Sequence, residues 1–247
     1  MPCYDICMIH RYLKIYKRRI HILWAFLIVL LPFIFILFID SLTAEAKVSF
    51  IGDLLASAVR LIVAYIISLV IAVVLGVTLS RGKLGTFMLP LFDVLQSFPT
   101  FAMLPLAVAT FGPSETTVII FLIITVIWPM LFAIISSQKL IKAGWEEAAT
   151  VYGAVGWKRV VYFALPIAAP GIVTGSIVGL GEGWEAVVGA EIIVGLKDHG
   201  LGNFFSSNSS AGHAVFFGVM ALLLFIFALN HIIWLPLLEK SHKMLTE

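Results

Sequence analysis

Six apolar runs dominate the pattern of hydrophobic and polar residues along this chain. Each run has about 20 residues without Asp, Glu, Lys or Arg, the length of helix that crosses the hydrocarbon core of a bilayer. The runs cover residues 22–39, 61–80, 94–114, 116–138, 160–181 and 214–238. The pattern predicts an all-α polytopic membrane protein with about six transmembrane helices.

Composition agrees with this prediction, because 61% of the residues are apolar, 12% are charged and the mean hydropathy is +1.08. The first apolar run is too long for a signal-peptide core and lacks a convincing cleavage site, so we interpret it as a retained anchor. We expect one transmembrane domain over 22–239, flanked by tails over 1–21 and 240–247.

The distribution of cations predicts the orientation. Most of the 16 Lys and Arg residues lie before the first run, after the second run, in the loop that follows the fourth run, and after the sixth run. Because Lys and Arg are enriched in cytoplasmic loops, both termini and that loop are predicted to be cytoplasmic. The net charge of +2 is an orientation signal of this kind and does not indicate nucleic-acid binding. The basic amino-terminal tail could also contact anionic membrane lipid.

A polar segment over about 139–166 interrupts the apolar pattern. Residues 145–152 are sufficient for two helical turns, with Glu146 and Glu147 in the first turn, where the helix dipole favours anions. Gly153 suits a helix cap, and Pro166 can stop one helix and begin the next. This segment is either a docking element for a partner or an ordinary interfacial loop.

The same segment resembles the EAA loop of ABC importer permeases. The family pattern is Glu-Ala-Ala, three residues, Gly, nine residues, Ile, any residue, Leu-Pro. This chain matches it everywhere except at Phe163, which replaces the Ile; the matching residues are Glu147, Ala148, Ala149, Gly153, Leu165 and Pro166. The resemblance implies that the loop's short helix contacts a separate ATPase subunit.

Further stretches resemble the nitrate, sulfonate, taurine and bicarbonate branch of these permeases. They include 170–175, 183–191 and 200–202, and the resemblance extends over about 50–240. It implies a type I importer permease, two copies of which form the pathway, with an extracytoplasmic substrate-binding protein delivering the solute. ATP would be bound by the ATPase subunit, and no cofactor by this chain.

Small residues form a stripe in the fifth run. Gly171, Gly175, Gly179 and Gly183 recur every four residues and share one helix face, where they allow close approach of another backbone. The stripe predicts helix packing, either within the chain or across a dimer.

Polar residues within the apolar runs or next to their ends are candidates for the translocation pathway, since charged groups are costly against lipid. The alternative is an interhelical hydrogen-bond network. In a continuous helix, Asp93, Gln96, Ser97 and Thr100 would share one face, which Pro99 and Pro105 would interrupt. The candidate residues are Asp93, Gln96, Ser97, Pro99, Thr100, Glu182, Glu185 and Glu191.

Glu182 and Glu185 raise a question about the substrate, because two carboxylates near a pore repel an anion. Either the substrate is neutral or cationic, or these groups are protonated or paired, for example with Arg60. They also support a rival hypothesis, a stand-alone carrier or channel that uses membrane carboxylates.

Catalytic and nucleotide-binding motifs are absent from the sequence. It has no G-x-x-x-x-G-K-[ST] loop, no H-E-x-x-H and no G-x-S-x-G. Cys3 and Cys7 have no further cysteine to complete a metal site. We therefore predict a transport subunit that is not itself an enzyme, in the cytoplasmic (inner) membrane.

Overall fold

The computed structural model describes residues 30–31, 34–35, 37–38, 50–80, 82–97, 99–139, 141, 143–196 and 199–246. Within this part of the chain the regular structure is helical. The helices are α1 (Phe50–Leu79), α2 (Gly82–Gln96), α3 (Thr100–Phe111), α4 (Glu115–Lys139), α5 (Ala143–Val151), α6 (Trp157–Arg159), α7 (Leu165–Val194), α8 (Leu201–Ser207), α9 (Gly212–Leu229) and α10 (Leu235–Thr246). The all-α prediction is confirmed.

Four helical stretches of the described residues are long and apolar enough to cross a membrane. They are α1, α4, Trp157–Val194 and Gly212–Ser241, and the bent pair of α2 and α3 would make a fifth. The first predicted run, 22–39, lies largely outside the described residues. Its described positions are helical, and Phe35 packs edge-on against Phe217 of α9, with ring centroids 5.7 Å apart.

Helix α4 forms the centre of the fold and packs against both α1 and α7. Its side chains Val118, Leu122, Val126, Met130 and Ile134 are completely buried. Their spacing of four residues places them along one side of the helix. Burial of this apolar stripe fixes α1, α4 and α7 as one bundle.

The glycine stripe of α7 lies against this bundle, within the same chain. A Cβ atom built on Gly175 would lie 2.6 Å from Cα of Met130, and one on Gly183 would lie 2.5 Å from Cδ1 of Leu61. Built on Gly171 it would meet Ala133 and Ser137, and on Gly179 it would meet Val126. The close approach of α7 to α4 therefore requires residues without a side chain at these positions.

The third predicted run is not one helix. Helices α2 and α3 meet at an angle of 86°. Pro99 precedes α3 with extended backbone angles, φ −63° and ψ 107°. Asp93 and Thr100 therefore lie on different helices, and Pro99 interrupts the segment as the sequence predicts. The break at Pro99 follows from proline's missing N–H and fixed φ, whereas Pro105 is accommodated inside α3.

The entry into α7 differs from the expectation that Pro166 stops a helix. The chain is already helical from Trp157, and a π-helical turn, Val160–Ala164, leads directly into α7 with Pro166 in its first turn. The amide of Leu165 donates to the carbonyl of Val160, five residues back. Such wide turns absorb a local irregularity without ending the helix.

Helix α8 lies in the connection between α7 and α9 and folds back against α1 and α7. Phe204 of α8 is fully buried beneath Phe50, with ring centroids 4.9 Å apart. We call the end of the bundle that carries α5 the loop end. The opposite end carries α8 and a group of buried polar side chains, and we call it the cluster end.

Candidate functional site

The EAA loop protrudes from the loop end as helix α5 and the turn that follows it. Glu147 and Ala148 are exposed, and Ala149 is half-buried. Gly153 has φ +74°, and its amide donates to the carbonyl of Thr150. That left-handed conformation suits glycine, and it turns the chain two residues after α5 ends at Val151.

Large apolar side chains within α5 and in the residues that follow it are exposed. Tyr152 is 89% and Trp157 77% exposed, and Trp145, Val151 and Tyr162 are also exposed. Exposed apolar patches rimmed by polar residues mark interaction sites. The loop therefore presents an exposed apolar surface next to polar residues.

Two contacts join the loop to the helices on either side of it. Arg159 Nη2 lies 3.3 Å from Glu146 Oε2, linking α5 to α6. Gln138 Nε2, near the end of α4, donates to the carbonyl of Ala164 at 2.6 Å. Gln138 is buried, so this bond ties the entry of α7 to α4 away from solvent. One contact thus joins α5 to α6, and the other joins the entry of α7 to α4.

Helix α7 has a second face, away from the glycine stripe, that the described residues leave exposed. Thr174, Val178, Glu182 and Glu185 lie there. Arg60 does not pair with Glu182 or Glu185, because it binds two other carboxylates. Arg60 is therefore not the cation that neutralises Glu182 or Glu185.

The remaining pathway candidates fall into two places. Asp93 and Ser97 are exposed on α2 and the residue after it, where Gln96 Nε2 donates to Asp93 Oδ1 at 2.7 Å. Pro99 is exposed at the break, and Thr100 is half-buried in α3. Glu191 is separate from all of these.

Glu191 belongs to a buried polar cluster at the cluster end. We call this the Arg60 cluster; it consists of the side chains of Asp53, Ser57, Arg60, Glu115 and Glu191 with the backbone amides of 200–202. Arg60 Nη1 donates to Glu191 Oε1 at 2.6 Å. Its Nε and Nη2 donate to the two oxygens of Glu115 at 2.5 and 2.6 Å, a bidentate pair.

The carboxylates and hydroxyl of the Arg60 cluster also hold the start of α8. The amide of Gly200 donates to Asp53 Oδ1 at 2.8 Å and that of Leu201 to Ser57 Oγ at 2.8 Å. The amide of Gly202 donates to Glu191 Oε2 at 2.9 Å. First-turn amides have no acceptor within their own helix, so these side chains satisfy them.

Glycine is required at the contact between α8 and the cluster. Gly200 has φ +139°, and a Cβ built there would lie 2.6 Å from both Arg60 Nη1 and Glu191 Oε2. A Cβ on Gly202 would lie 2.5 Å from Cβ of Glu191. The two glycines let the backbone reach the carboxylates.

Sequence reasoning missed Asp53, Ser57 and Glu115. The spacing of Asp53, Ser57 and Arg60, at i, i+4 and i+7, places the three side chains on one helix face and was the available signal. It was overlooked because the second apolar run begins after them. In the part of the chain that the structure describes, no group of three or more His, Cys, Asp or Glu residues could hold a metal ion.

Comparison with known proteins identifies the family. Residues 68–235 match the family model described as binding-protein-dependent transport system inner membrane component. A nitrate import permease of Leptolyngbya laminosa is 31% identical, over 68% of this chain and 63% of that protein. A taurine transport system permease of Escherichia coli is 28% identical, over 69% and 64%. A bicarbonate transport system permease of Synechococcus elongatus is 27% identical, over 57% and 51%.

Each of these matches covers less than two thirds of the relative's own length. The family match, in contrast, covers more than half of this chain and includes α4, the EAA loop and α7. It also explains the apolar helices, since the family consists of inner-membrane transport components. The chain belongs to the binding-protein-dependent transport system inner membrane components, the permeases of ABC transporters.

Proposed function

We propose that this chain is the permease subunit of an ABC importer, which forms the solute pathway and couples through its EAA loop to a separate ATPase. The observation that carries the proposal is the exposed helix α5, which bears the EAA residues and is surrounded by exposed aromatic side chains. ATP binds to the ATPase subunit and not to this chain, which acts as a transport subunit.

Coupling requires that the ATPase bind α5 differently in its two states, because a contact that is equal in both states transmits nothing. The Glu146–Arg159 ion pair and the Gln138–Ala164 hydrogen bond provide the mechanical connection. When the ATPase subunits close, α5 moves with them and shifts the ends of α4 and α7. The loop end and both termini face the cytoplasm in this proposal.

The solute pathway runs along the exposed face of α7 and includes Glu182 and Glu185. Carboxylates at membrane depth are costly against lipid, so this face is covered by protein or water in the assembled transporter. A second copy of the permease supplies that cover, and lipid surrounds the pair. Asp93, Gln96 and Ser97 lie beside the break between α2 and α3 and extend the polar path.

The substrate is a small solute of the kind that the relatives' names give, such as nitrate, taurine or bicarbonate. An extracytoplasmic binding protein delivers it at the cluster end. Glu182 and Glu185 disfavour an anion at their level of the pathway. A neutral or zwitterionic solute therefore suits this face better than nitrate.

Co-purification with the candidate ATPase subunit tests the proposal. Glu147→Arg and Gly153→Asp alter the loop, and Glu239→Arg, an equal charge reversal on an exposed part of α10, is the matched control. We expect the two loop variants to retain about tenfold less ATPase, a loss of about 1.4 kcal/mol in binding, and the control to retain it as the native chain does. Native retention by both loop variants would contradict the proposal.

A second candidate function is a stand-alone carrier that uses Glu182 and Glu185 for proton or cation coupling. The observation favouring it is the exposure of both carboxylates on a membrane helix. It predicts uptake into vesicles that contain this chain alone, and loss of that uptake in Glu182→Gln and Glu185→Gln. The importer predicts no such uptake without the ATPase.

A further inference from the structure

The Arg60 cluster connects four helices at the cluster end, and its two ion pairs differ in their surroundings. The side chain of Glu191 is completely buried, whereas that of Glu115 is 57% exposed. Arg60 itself is buried. Water can therefore replace Arg60 as the partner of Glu115, but it cannot reach Glu191 without separation of the helices.

Releasing α8 from the cluster would leave many buried polar groups without partners. The amides of Gly200, Leu201 and Gly202 would lose their acceptors, and Glu191 would lose one of its donors, the amide of Gly202. An unpaired donor or acceptor that stays buried costs its full desolvation penalty. Leu201 and Phe204, both fully buried, would also be uncovered.

Releasing Glu115 costs less, because its carboxylate lies at the boundary with solvent and only Nε and Nη2 of Arg60 lose their acceptors. It occupies the first turn of α4, directly after the 112–114 connection from α3. The cluster therefore combines a buried part, formed by α1, α7 and α8, with a solvent-accessible arm that reaches α4.

We infer that Arg60 is a positioning residue that holds α1, α7 and α8 together as one unit throughout transport, with the Glu115 arm as the part that can release. Movement at this end of the permease then takes place in α3 and the 112–114 connection, or between copies, while α4 stays packed against α1 and α7. The inference rests on the proposed function only where it refers to the transport cycle.

Labelling of a buried cysteine tests the inference. Cys3 and Cys7 are replaced by Ser, and Leu201→Cys reports whether α8 lifts from the bundle. Ser206→Cys, exposed on α8, is the accessible reference. Ala168→Cys, fully buried near the loop end, detects general unfolding. The probe is a water-soluble maleimide applied to the full chain in unsealed membrane fragments, where it reaches both ends of the bundle.

In the native cluster, we expect Leu201→Cys to stay protected with and without ATP in the complex with the ATPase. In Arg60→Gln, its labelling should rise about tenfold or more, because protection reports the free energy of local opening, while Ala168→Cys stays protected. Glu115→Gln removes an ion pair of the same arginine and should leave Leu201→Cys protected. Gly200→Ala, which places a methyl group against Arg60 and Glu191, should expose Leu201→Cys as Arg60→Gln does.

Three results would overturn the inference. The first is labelling of Leu201→Cys in either nucleotide state of the native cluster. The second is continued protection in both Arg60→Gln and Gly200→Ala. The third is equal exposure in Glu115→Gln and Arg60→Gln. If Arg60→Gln does not accumulate in the membrane, Gly200→Ala and the native comparison decide. The comparison of variants needs no ATPase, so failure of the coupling proposal is distinguishable from failure of this inference.

Discussion

Substitution of Gly175 by alanine tests how closely α7 and α4 approach. The added Cβ would lie 2.6 Å from Cα of Met130 and 3.2 Å from both Cβ of Ala133 and the carbonyl oxygen of Pro129. Carbon atoms in favourable contact lie about 3.5–4.0 Å apart. Because two of these neighbours are backbone atoms, a rotamer change cannot relieve the overlap, and the two helices must separate.

The magnitude follows from comparison with Gly181→Ala on the same helix. A Cβ on Gly181 has no neighbour within 4 Å in the described structure. Both substitutions gain the same helix propensity, up to about 1 kcal/mol relative to glycine. Overpacking a tight interface costs about 1–3 kcal/mol. Gly175→Ala should therefore be about 1–3 kcal/mol less stable than Gly181→Ala.

The assay is reversible unfolding of the isolated subunit in mixed micelles with increasing SDS, followed by tryptophan fluorescence. The free energies of unfolding of the two variants are compared directly, so the propensity gain cancels. Equal stability of the two variants would refute the close approach of α7 to α4.

Three further substitutions test other parts of the account. Gln138→Leu should lower the free energy of unfolding by about 1–3 kcal/mol, because the carbonyl of Ala164 loses its donor; the exposed Gln96→Leu is the control, and equal effects in the same SDS titration would contradict this role. Gly153→Ala should weaken ATPase retention about fivefold, since the left-handed conformation costs an L-residue about 1 kcal/mol. Gly144→Ala in α5, where an added Cβ meets no neighbour, should leave ATPase retention unchanged. A native affinity for Gly153→Ala in a pull-down titration would exclude the strained turn. Glu182→Gln and Glu185→Gln should change stability by no more than about 0.5 kcal/mol, because both residues are exposed, while changing solute preference in competition uptake assays; a large loss of stability with unchanged preference would assign them a packing role.

The local sequence predicted helix bounds best where the charged residues that flank an apolar run are also the ends of the helix. The run over 116–138 corresponds to α4, Glu115–Lys139, almost residue for residue. Burial of α4 on two sides makes its apolar pattern continuous. Its ends coincide with Glu115 and Lys139, so the charges mark the boundaries correctly.

The same rule failed where charged residues lie inside a helix. The run over 61–80 begins after Arg60, yet α1 begins at Phe50; the run over 160–181 ends before Glu182, yet α7 continues to Val194. In α1 and at Glu191, the charges are compensated by partners more than 50 residues away in sequence. A local pattern contains no information on such partners. The charges were therefore mistaken for helix boundaries.

The candidate site was predictable in part. The EAA spacing located α5 and the turn at Gly153, because helix, cap and glycine are local properties. The separation of Glu191 from Glu182 and Glu185 was not predictable, since it depends on Arg60 reaching across from α1. The anchoring of α8 was likewise not predictable, because it depends on Gly200 and Gly202 lying against carboxylates of other helices.

The most direct test of the coupling proposal is a cross-link between α5 and the candidate ATPase subunit. With Cys3 and Cys7 replaced by Ser, Ala148→Cys places a thiol on the exposed side of α5, and Ser209→Cys places one on the exposed cluster end. The account predicts that a thiol-to-amine cross-linker joins the ATPase to Ala148→Cys and not to Ser209→Cys. Cross-linking at Ser209→Cys alone, equally at both positions or at neither would contradict it.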